Sequence, residues 1–491
     1  MRIHNTETGR KEQFEPAALP VKMYVCGLTP KNDPHLGHAR LFVVNDTIRR
    51  YLEFRGYPVH FVQNFTDIDD KIIAAGQRDG IAASDAARRY TEAYFRDMDL
   101  LGIRRADDFT YVTEFIPRII AVVGKLVEQG HAYVVDGDVF FSVPSFPAYG
   151  RLSGRDEEAM RAGARIEPDE RKRDPRDFAL WKSAKPGEPW WESPWGRGRP
   201  GWHIECSTMA LDTLGSQIDI HGGGADLIFP HHENEIAQSE SLTGLSPFVR
   251  YWVHTGMLSL PGDQGDQEKM AHSGTFVTTR SILARRDVPP AGLRTYLLGQ
   301  HYRANLVFSE EQLRGSVTRW QRWVTARESL LRLIGWAEGH AASAALNPDA
   351  DTATLEGELD GIRGDFIAAM DDDFNTSLAL SYIDLLAKRS NEFTASIQTE
   401  SAAPELVAAL KKALATLTEL TGVLGISLEV ADTAPSMDVL TRAQIEALIA
   451  LRTAARQTRN WAESDRIRIE LETRFGVTVQ DTAQGTTWTV R

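Results

Sequence analysis

The stretch from Val21 to Ile73 constrains the fold most. "VKMYVCGLTP" is a short apolar strand running into a turn rich in Gly and Pro, and "HARLFVVNDTIRRYLEFRG" continues with helical spacing to a Gly stop. "YPVHFVQNFTDIDDKII" then reads as a second buried strand followed by a helix. Strand, helix, strand at this spacing opens a parallel α/β sheet, because parallel neighbours need a crossover connection. Residues from about 104 to 200 break the rhythm with charged and Pro-rich stretches such as "RIEPDERKRDPRDF" and "KPGEPWWESPWGRGRP", which is expected of an insertion. The sheet pattern resumes at "QIDIHGGGADLIFPHHENE" and "PFVRYWVHTGMLSL".

Beyond residue 309 the pattern turns helical. "SEEQLRGSVTRWQRWVTARESLLRLIGWAEG" has a Ser with acids behind it as a helix start, apolar residues at three and four spacing, and a Gly stop. "ELDGIRGDFIAAMDDDFNTSLALSYIDLLAKRSNEF" and "PELVAALKKALATLTELTGVLG" repeat the pattern, which predicts a bundle. "LEVADTAPSMD" is then a linker into a terminal module. A chain of 491 residues has room for about three such domains.

The net charge of −13 argues against indiscriminate coating of nucleic acid, which depends on Lys and Arg neutralising phosphates. The charge is uneven, however. From Leu440 to Arg491 there are eight arginines and no lysine against six acids, a net +2, so residues 1–439 carry −15. A mildly basic module on an acidic body suits a local polyanion contact, and a solvated helix face has the same composition. No apolar run reaches membrane-spanning length and "MRIHNTETGRKEQFEP" carries no hydrophobic signal segment, so a cytoplasmic protein without membrane association is expected. The two cysteines, Cys26 and Cys206, lie 180 residues apart, which in that setting disfavours a disulfide and makes thiolate roles worth testing.

Two segments carry chemistry. In "MYVCGLTPKNDPHLGHAR", His35 and His38 fall at the expected N-terminus of the first helix, where free N–H groups and the dipole attract anions and Gly37 admits a ligand closely. In "DLIFPHHENEIAQSE", a helical reading puts His231 and Glu235 on one face and points His232 and Glu233 elsewhere. That pair alone is at best a metal half-site, and taken by itself it reads first as a solvated helix start with acids near its positive end; two more ligands would reverse that.

The 18-residue run around "HLGH" resembles the "HIGH" region of class I aminoacyl-tRNA synthetases, in the version seen in cysteinyl-tRNA synthetases. "NFTDIDDKII", "GWHIECSTMA", "DIHGGGADLIFPHHENEIAQSE", "VHTGM", "MDDDFNTSLAL" and "NWAESDRIRIELETRFGVTVQDTAQGTTW" are similar to segments of the same family, in order and spacing. The resemblance implies an α/β chain with a Rossmann-like parallel-sheet catalytic domain at 1–308, interrupted by a connective insertion at about 104–200. It implies a helical bundle on the tRNA stem and anticodon side at 309–427 and a small mixed anticodon-binding module at 428–491. The family's metal ligands fall on Cys26, Cys206, His231 and Glu235, which would complete the half-site with one zinc ion per chain. Two thiolates, an imidazole and a carboxylate suit zinc's borderline-soft preference, and His232 and His203 are placed to orient them.

By the same resemblance Thr66 and Trp202 line the cysteine site, and Asp226 contacts the substrate amine or the adenylate. A capping threonine, a core tryptophan and an N-cap aspartate are the plain alternatives. The second class I signature, usually "KMSKS", reads "EKMAHSGTF": Lys269 is present and His272 takes the second lysine's place. The first signature departs too, since "GLTPKND" replaces the usual Pro after Gly and the aromatic that follows. The implied reaction joins L-cysteine to cysteine tRNA through a cysteinyl-adenylate made from ATP with Mg2+, with His35, His38, Lys269 and His272 on the triphosphate, in a monomer. Zinc would accept the cysteine thiolate and refuse a serine hydroxyl, so no editing domain is needed. Two other readings share the catalytic motifs: a cysteine-to-amino-sugar ligase of mycothiol synthesis, against which the matched tail argues, and a non-catalytic RNA-binding paralogue, which only "KMAHS" favours.

Overall fold

An antiparallel hairpin, β1 (Arg2–Asn5) and β2 (Arg10–Gln13), leads into β3 (Val21–Leu28), in which Val21, Met23, Tyr24 and Val25 are wholly buried. The computed structural model describes residues 1–155, 170–261, 277–340, 352–397, 404–430, 445, 448–453, 455–456, 460–475, 477–482 and 485–490. These divide into two units, Met1–Leu428 and Glu429–Arg491.

In the first unit β3 is followed by α1 (Leu36–Phe54), β4 (Val59–Phe65), α2 (Asp70–Asp79), α3 (Ala83–Leu100), β5 (Asp108–Tyr111) and α4 (Val112–Glu128). With β10 (Ile218–Gly224) and β11 (Val249–Thr255), three of these strands form a parallel sheet in the order β11-β10-β3-β4-β5. The order runs outward in both directions from β3, which leaves a switch point between β3 and β10 and a crevice at their carboxyl ends.

The expected insertion begins later than 104. The short strand "DFTY" of β5 pairs in parallel with β4, so that it belongs to the parallel sheet. Four residues are too few to show a periodic signal, which is why the rhythm breaks early in the sequence. The inserted element is an antiparallel sheet of β6 (Ala132–Val135), β7 (Asp138–Phe141), β8 (Phe178–Ser183) and β9 (Gly198–Pro200). Its last strand delivers the chain to α5 (Trp202–Leu214), and α6 (Glu233–Thr243) follows β10.

Beyond the sheet, β12 (Leu258–Ser259) pairs with β13 (Leu306–Val307), and α7 (Thr279–Leu283) and α8 (Pro290–Leu298) lie between them in sequence. The bundle comprises α9 (Glu310–His340), α10 (Thr352–Asp371), α11 (Thr376–Ser396) and α12 (Pro404–Val423). Its packing follows the expected spacing: Leu355, Leu359, Ile362, Phe366 and Met370 of α10 are buried at intervals of three and four.

A buried ion pair joins α8 to α1 and also takes in a carbonyl from the chain just after the bundle. Arg294 of α8 bonds Asp46 of α1, the Leu424 carbonyl at 2.7 Å and the Leu101 carbonyl at 3.1 Å, and both charged side chains are almost fully buried. Burial would raise the Asp46 carboxyl, but Arg294 and Arg50 overcome it and hold it below its usual 3.8. A carboxyl depressed on folding stabilises fully above its unfolded pKa and loses that contribution as the pH falls through the folded value. Asp46→Ala, which strands the Arg294 guanidinium, should cost about 3 kcal/mol at neutral pH. The urea midpoint should fall accordingly, and the gap from wild type should narrow below pH 4; an unchanged midpoint would show that the carbonyls alone satisfy Arg294.

The second unit holds α13 (Trp461–Phe475) and a hairpin of β14 (Val477–Thr482) and β15 (Gly485–Val490), with Ile445, Ile467 and Leu471 buried together. Among the described residues no helix is long and apolar enough to cross a membrane.

Candidate active site and metal centre

The switch point gathers four of the residues that the sequence analysis singled out. Cys26 lies near the end of β3, Cys206 on α5, Glu235 on α6, and His231 in the irregular segment between β10 and α6. The Cys26 and Cys206 sulfurs are 3.6 Å apart and unbonded, and Cys26 Sγ lies 3.4 Å from Glu235 Oε1. Glu235 Oε1 is 3.0 Å from His231 Nε2. All four side chains are buried.

His232 joins them, which the helical reading did not allow. The chain between Ala225 and His232 is not a regular helix, and Phe229 is extended (φ −138°, ψ 132°). Both histidines therefore turn inward, and Cys26, His231, His232 and Glu235 can offer one ligand atom each within 4.8 Å of one another. Hydrogen bonding separates the two roles. His254 Nδ1 lies 2.8 Å from the Thr6 hydroxyl, His254 Nε2 lies 2.8 Å from His232 Nδ1, and His232 Nε2 lies 3.3 Å from Cys26 Sγ. If Thr6 donates, each ring donates onward in turn, and His232 ends as a donor to the Cys26 sulfur. Gly223 makes room for that ring, since a Cβ there would lie 2.4 Å from His232 Cε1.

The electrostatics separate the groups further. Burial pushes the Cys26 thiol well up, and its hydrogen bond lowers Cys206 to about 6. Burial opposes charge on His231, but Cys206 and Glu235 outweigh it and raise the imidazole to about 10. Burial likewise opposes the Glu235 carboxylate, and His221 and His231 overcome it and bring the pKa down to about 2. His232, His203 and His254 are all driven down by burial and remain neutral donors or acceptors. A thiolate and a carboxylate thus share an enclosed space whose positive charge is borrowed from protons on Cys26 and His231. A divalent cation could replace both protons. Two thiolates on a tetrahedral zinc, each at about 2.3 Å, would stand about 3.8 Å apart, close to the sulfur separation here. The donor set fits that metal.

Surrounding side chains brace the cluster. His203 Nδ1 is 2.9 Å from His231 Nδ1, and the Trp202 ring lies 4.3 Å from the His231 ring, centroid to centroid. His221 Nε2 sits 3.0 Å from Glu235 Oε2. Thr66 is buried and hydrogen-bonds Glu205 of α5. Asp226 is exposed at the mouth, within electrostatic reach of His231 and Lys71. Sequence reasoning missed His221 and His254, which read as members of buried strands. His254 had a signal in its position, since it falls at the carboxyl end of a parallel strand, where ligands bind in this architecture, whereas His221 sits mid-strand and had none.

At the N-terminus of α1, which follows β3, His35 is the cap residue, and the two signature histidines form a reciprocal box. His38 N donates to His35 Nδ1 at 3.3 Å, and His35 N donates to His38 Nδ1 at 3.4 Å. Burial, with a contribution from Lys31, lowers His35 to about 4 and His38 well below its usual value. Neutral rings that accept at Nδ1 carry their proton on Nε2, as donors. A Cβ on Gly37 would lie 2.9 Å from His35 Cε1, so glycine keeps the cap open. The chain returns from the second signature beside this cap: Leu36 N donates to Val277 O at 3.2 Å, and Thr279 N donates to Pro34 O at 2.8 Å. Lys269 and His272 themselves lie outside the described residues.

Residues 13–318 match the family model for the tRNA synthetases class I (C) catalytic domain, and residues 365–429 match the DALR domain. Among curated proteins, the cysteine–tRNA ligase of Moorella thermoacetica is 47% identical over 493 residues and that of Heliobacterium modesticaldum 48% over 493, each match covering 99% of both chains. Among solved structures, the Mycobacterium tuberculosis methionyl-tRNA synthetase in complex with methionyl-adenylate aligns with TM-score 0.60 at 18% identity, over 83% of this chain and 90% of the other. The Agrobacterium radiobacter LeuRS of a ternary complex aligns with TM-score 0.58 at 10% identity, over 85% and 86%. At those identities the two structures speak for the fold alone.

Proposed function

The chain belongs to the cysteine–tRNA ligases of the class I aminoacyl-tRNA synthetase family, and on that premise we propose that it activates L-cysteine with Mg-ATP beside a zinc centre and transfers it to cysteine tRNA. The observation that carries this reading is the convergence of Cys26, Cys206, His231 and Glu235 at the sheet's switch point, with the His35–His38 cap at the start of the helix after β3. These four residues would hold zinc, which when bound favours a thiolate partner over a hydroxyl.

The chain's own residues have the following parts. Asp226 at the mouth receives the substrate ammonium, while Trp202 and Thr66 close the side-chain pocket. His35 and His38 donate from Nε2 to the phosphates above the N-terminus of α1, where the dipole adds its partial positive charge. The cysteine carboxylate attacks the α-phosphorus in line, the bond to the bridging oxygen breaks, and pyrophosphate leaves with that electron pair. By the resemblance, Lys269 and His272 of the second signature neutralise the departing pyrophosphate. The terminal ribose hydroxyl of the tRNA then takes the cysteinyl group and AMP leaves. The bundle and the module from residue 428 onward hold the tRNA.

The test is cysteine-dependent ATP–pyrophosphate exchange, run with and without tRNA, alongside aminoacylation. Exchange is expected without tRNA, and His38→Ala should slow it by about 100-fold, the usual cost of one oriented donor, with little change in the KM for cysteine. Aminoacylation without any cysteine-dependent exchange would contradict the adenylate route. A His38→Ala variant as fast as wild type would remove the cap from the ATP site.

A further inference from the structure

The two signature motifs themselves, HLGH and KMAHS, carry a single lysine between them. Both signature histidines are neutral, and the second signature offers Lys269 with His272 where a second lysine is usual. A triphosphate that must release pyrophosphate needs cations held where the charge develops.

The turn between β3 and α1 contains one. Lys31 lies in the stretch "GLTPKND", which departs from the family's usual residues, four positions before His35. The turn is pinned from several sides. Lys31 N donates to Thr29 O at 2.9 Å, Arg78 of α2 donates to Lys31 O at 3.2 Å and to Asn32 Oδ1 at 2.8 Å, and Pro34 O accepts from Thr279 N. A backbone held this firmly fixes where the side chain starts. Lys31 is half-buried, and among the described residues it makes no ion pair. Its ammonium lies within electrostatic reach of both His35 and His38. Its other charged neighbours are Lys71, whose ammonium lies 5.6 Å from the Trp202 ring, and Asp69.

This is a costly place to keep a cation. Burial first and Lys71 second lower the Lys31 pKa, and Asp69 offsets them only in part. An arriving polyanion would reverse that penalty, because an opposite charge within a few ångströms favours the ammonium. We propose that Lys31 binds the triphosphate of ATP and supplies the positive charge that the second signature lacks at His272. The inference rests on the reading that His35 and His38 face ATP, and it extends that reading to a residue of the first signature turn. The cation has moved from one signature to the other.

The experiment uses the full-length protein and follows pre-steady-state adenylate formation at saturating cysteine with ATP varied. Lys31→Met should slow adenylate formation by about 100-fold, as loss of a charge-bearing phosphate contact does, while leaving the affinity for cysteine and the unfolding midpoint at wild-type values. Lys31→Arg should keep most of the rate. Adding His272→Lys to Lys31→Met should restore at least about tenfold, because the two positions would serve one charge. Lys31→Met indistinguishable from wild type, with His38→Ala still slow, would overturn this inference and leave the ATP reading standing. If Lys31→Met is slow and His272→Lys restores nothing, the replacement of one lysine by the other is overturned. Wild-type rates in both Lys31→Met and His38→Ala would remove ATP from this cap and the inference with it.

Discussion

Cys206→Ser should cut zinc content from about one ion per chain to a small fraction, and His231→Ala should do the same. Each removes a donor from an enclosed cluster whose remaining charges no longer balance. His232→Ala is the informative companion, because by position alone His232 could be a ligand in place of Cys206. If Thr6 donates, the hydrogen-bond chain through His254 makes it a donor to the Cys26 sulfur, and loss of such a brace weakens metal binding by about 10- to 100-fold without abolishing it. Metal analysis after dialysis against a weak chelator should therefore rank the variants with His232→Ala nearest wild type. Zinc retained in Cys206→Ser and lost in His232→Ala would exchange the two assignments. Discrimination against serine should fall with the metal, since a pocket of this size without it separates a thiol from a hydroxyl by only about 100-fold.

Removing residues 431–491 should leave adenylate formation near wild type and abolish charging of tRNA. The cut follows Leu428, which is buried in the first unit, and every described residue assigned to the crevice lies upstream. The second unit has its own small core of Ile445, Ile467 and Leu471. Its excess of arginine over acid suits a tRNA contact that falls off steeply with salt. Exchange and charging measured on the same truncated protein separate the possibilities. Loss of both would mean that the second unit supports the fold of the first.

Much of this was legible in the sequence because long periodic segments carry their own signal. The 19 residues of α1 form one long uninterrupted helix closed by a Gly stop, and β3 and β4 are short buried runs bounded by turns. The four residues of β5 carry no such pattern, and their place is set by pairing with β4, a tertiary fact. At the candidate site, Cys26 and Cys206 are 180 residues apart, and only the resemblance to a family joined them to His231 and Glu235 before the fold did. Helical periodicity misdirected His232, because the segment before α6 is irregular, as functional segments often are. His221 and His254 were hidden in strands whose other residues read as core.

The central claim is that Cys26, Cys206, His231 and Glu235 hold a zinc ion that recognises the substrate through its sulfur. Zinc K-edge X-ray absorption on the metal-loaded protein measures that directly. Two sulfur neighbours are expected from Cys26 and Cys206, rising to three when cysteine is added and staying at two with serine. A sulfur count unchanged by saturating cysteine would contradict the account.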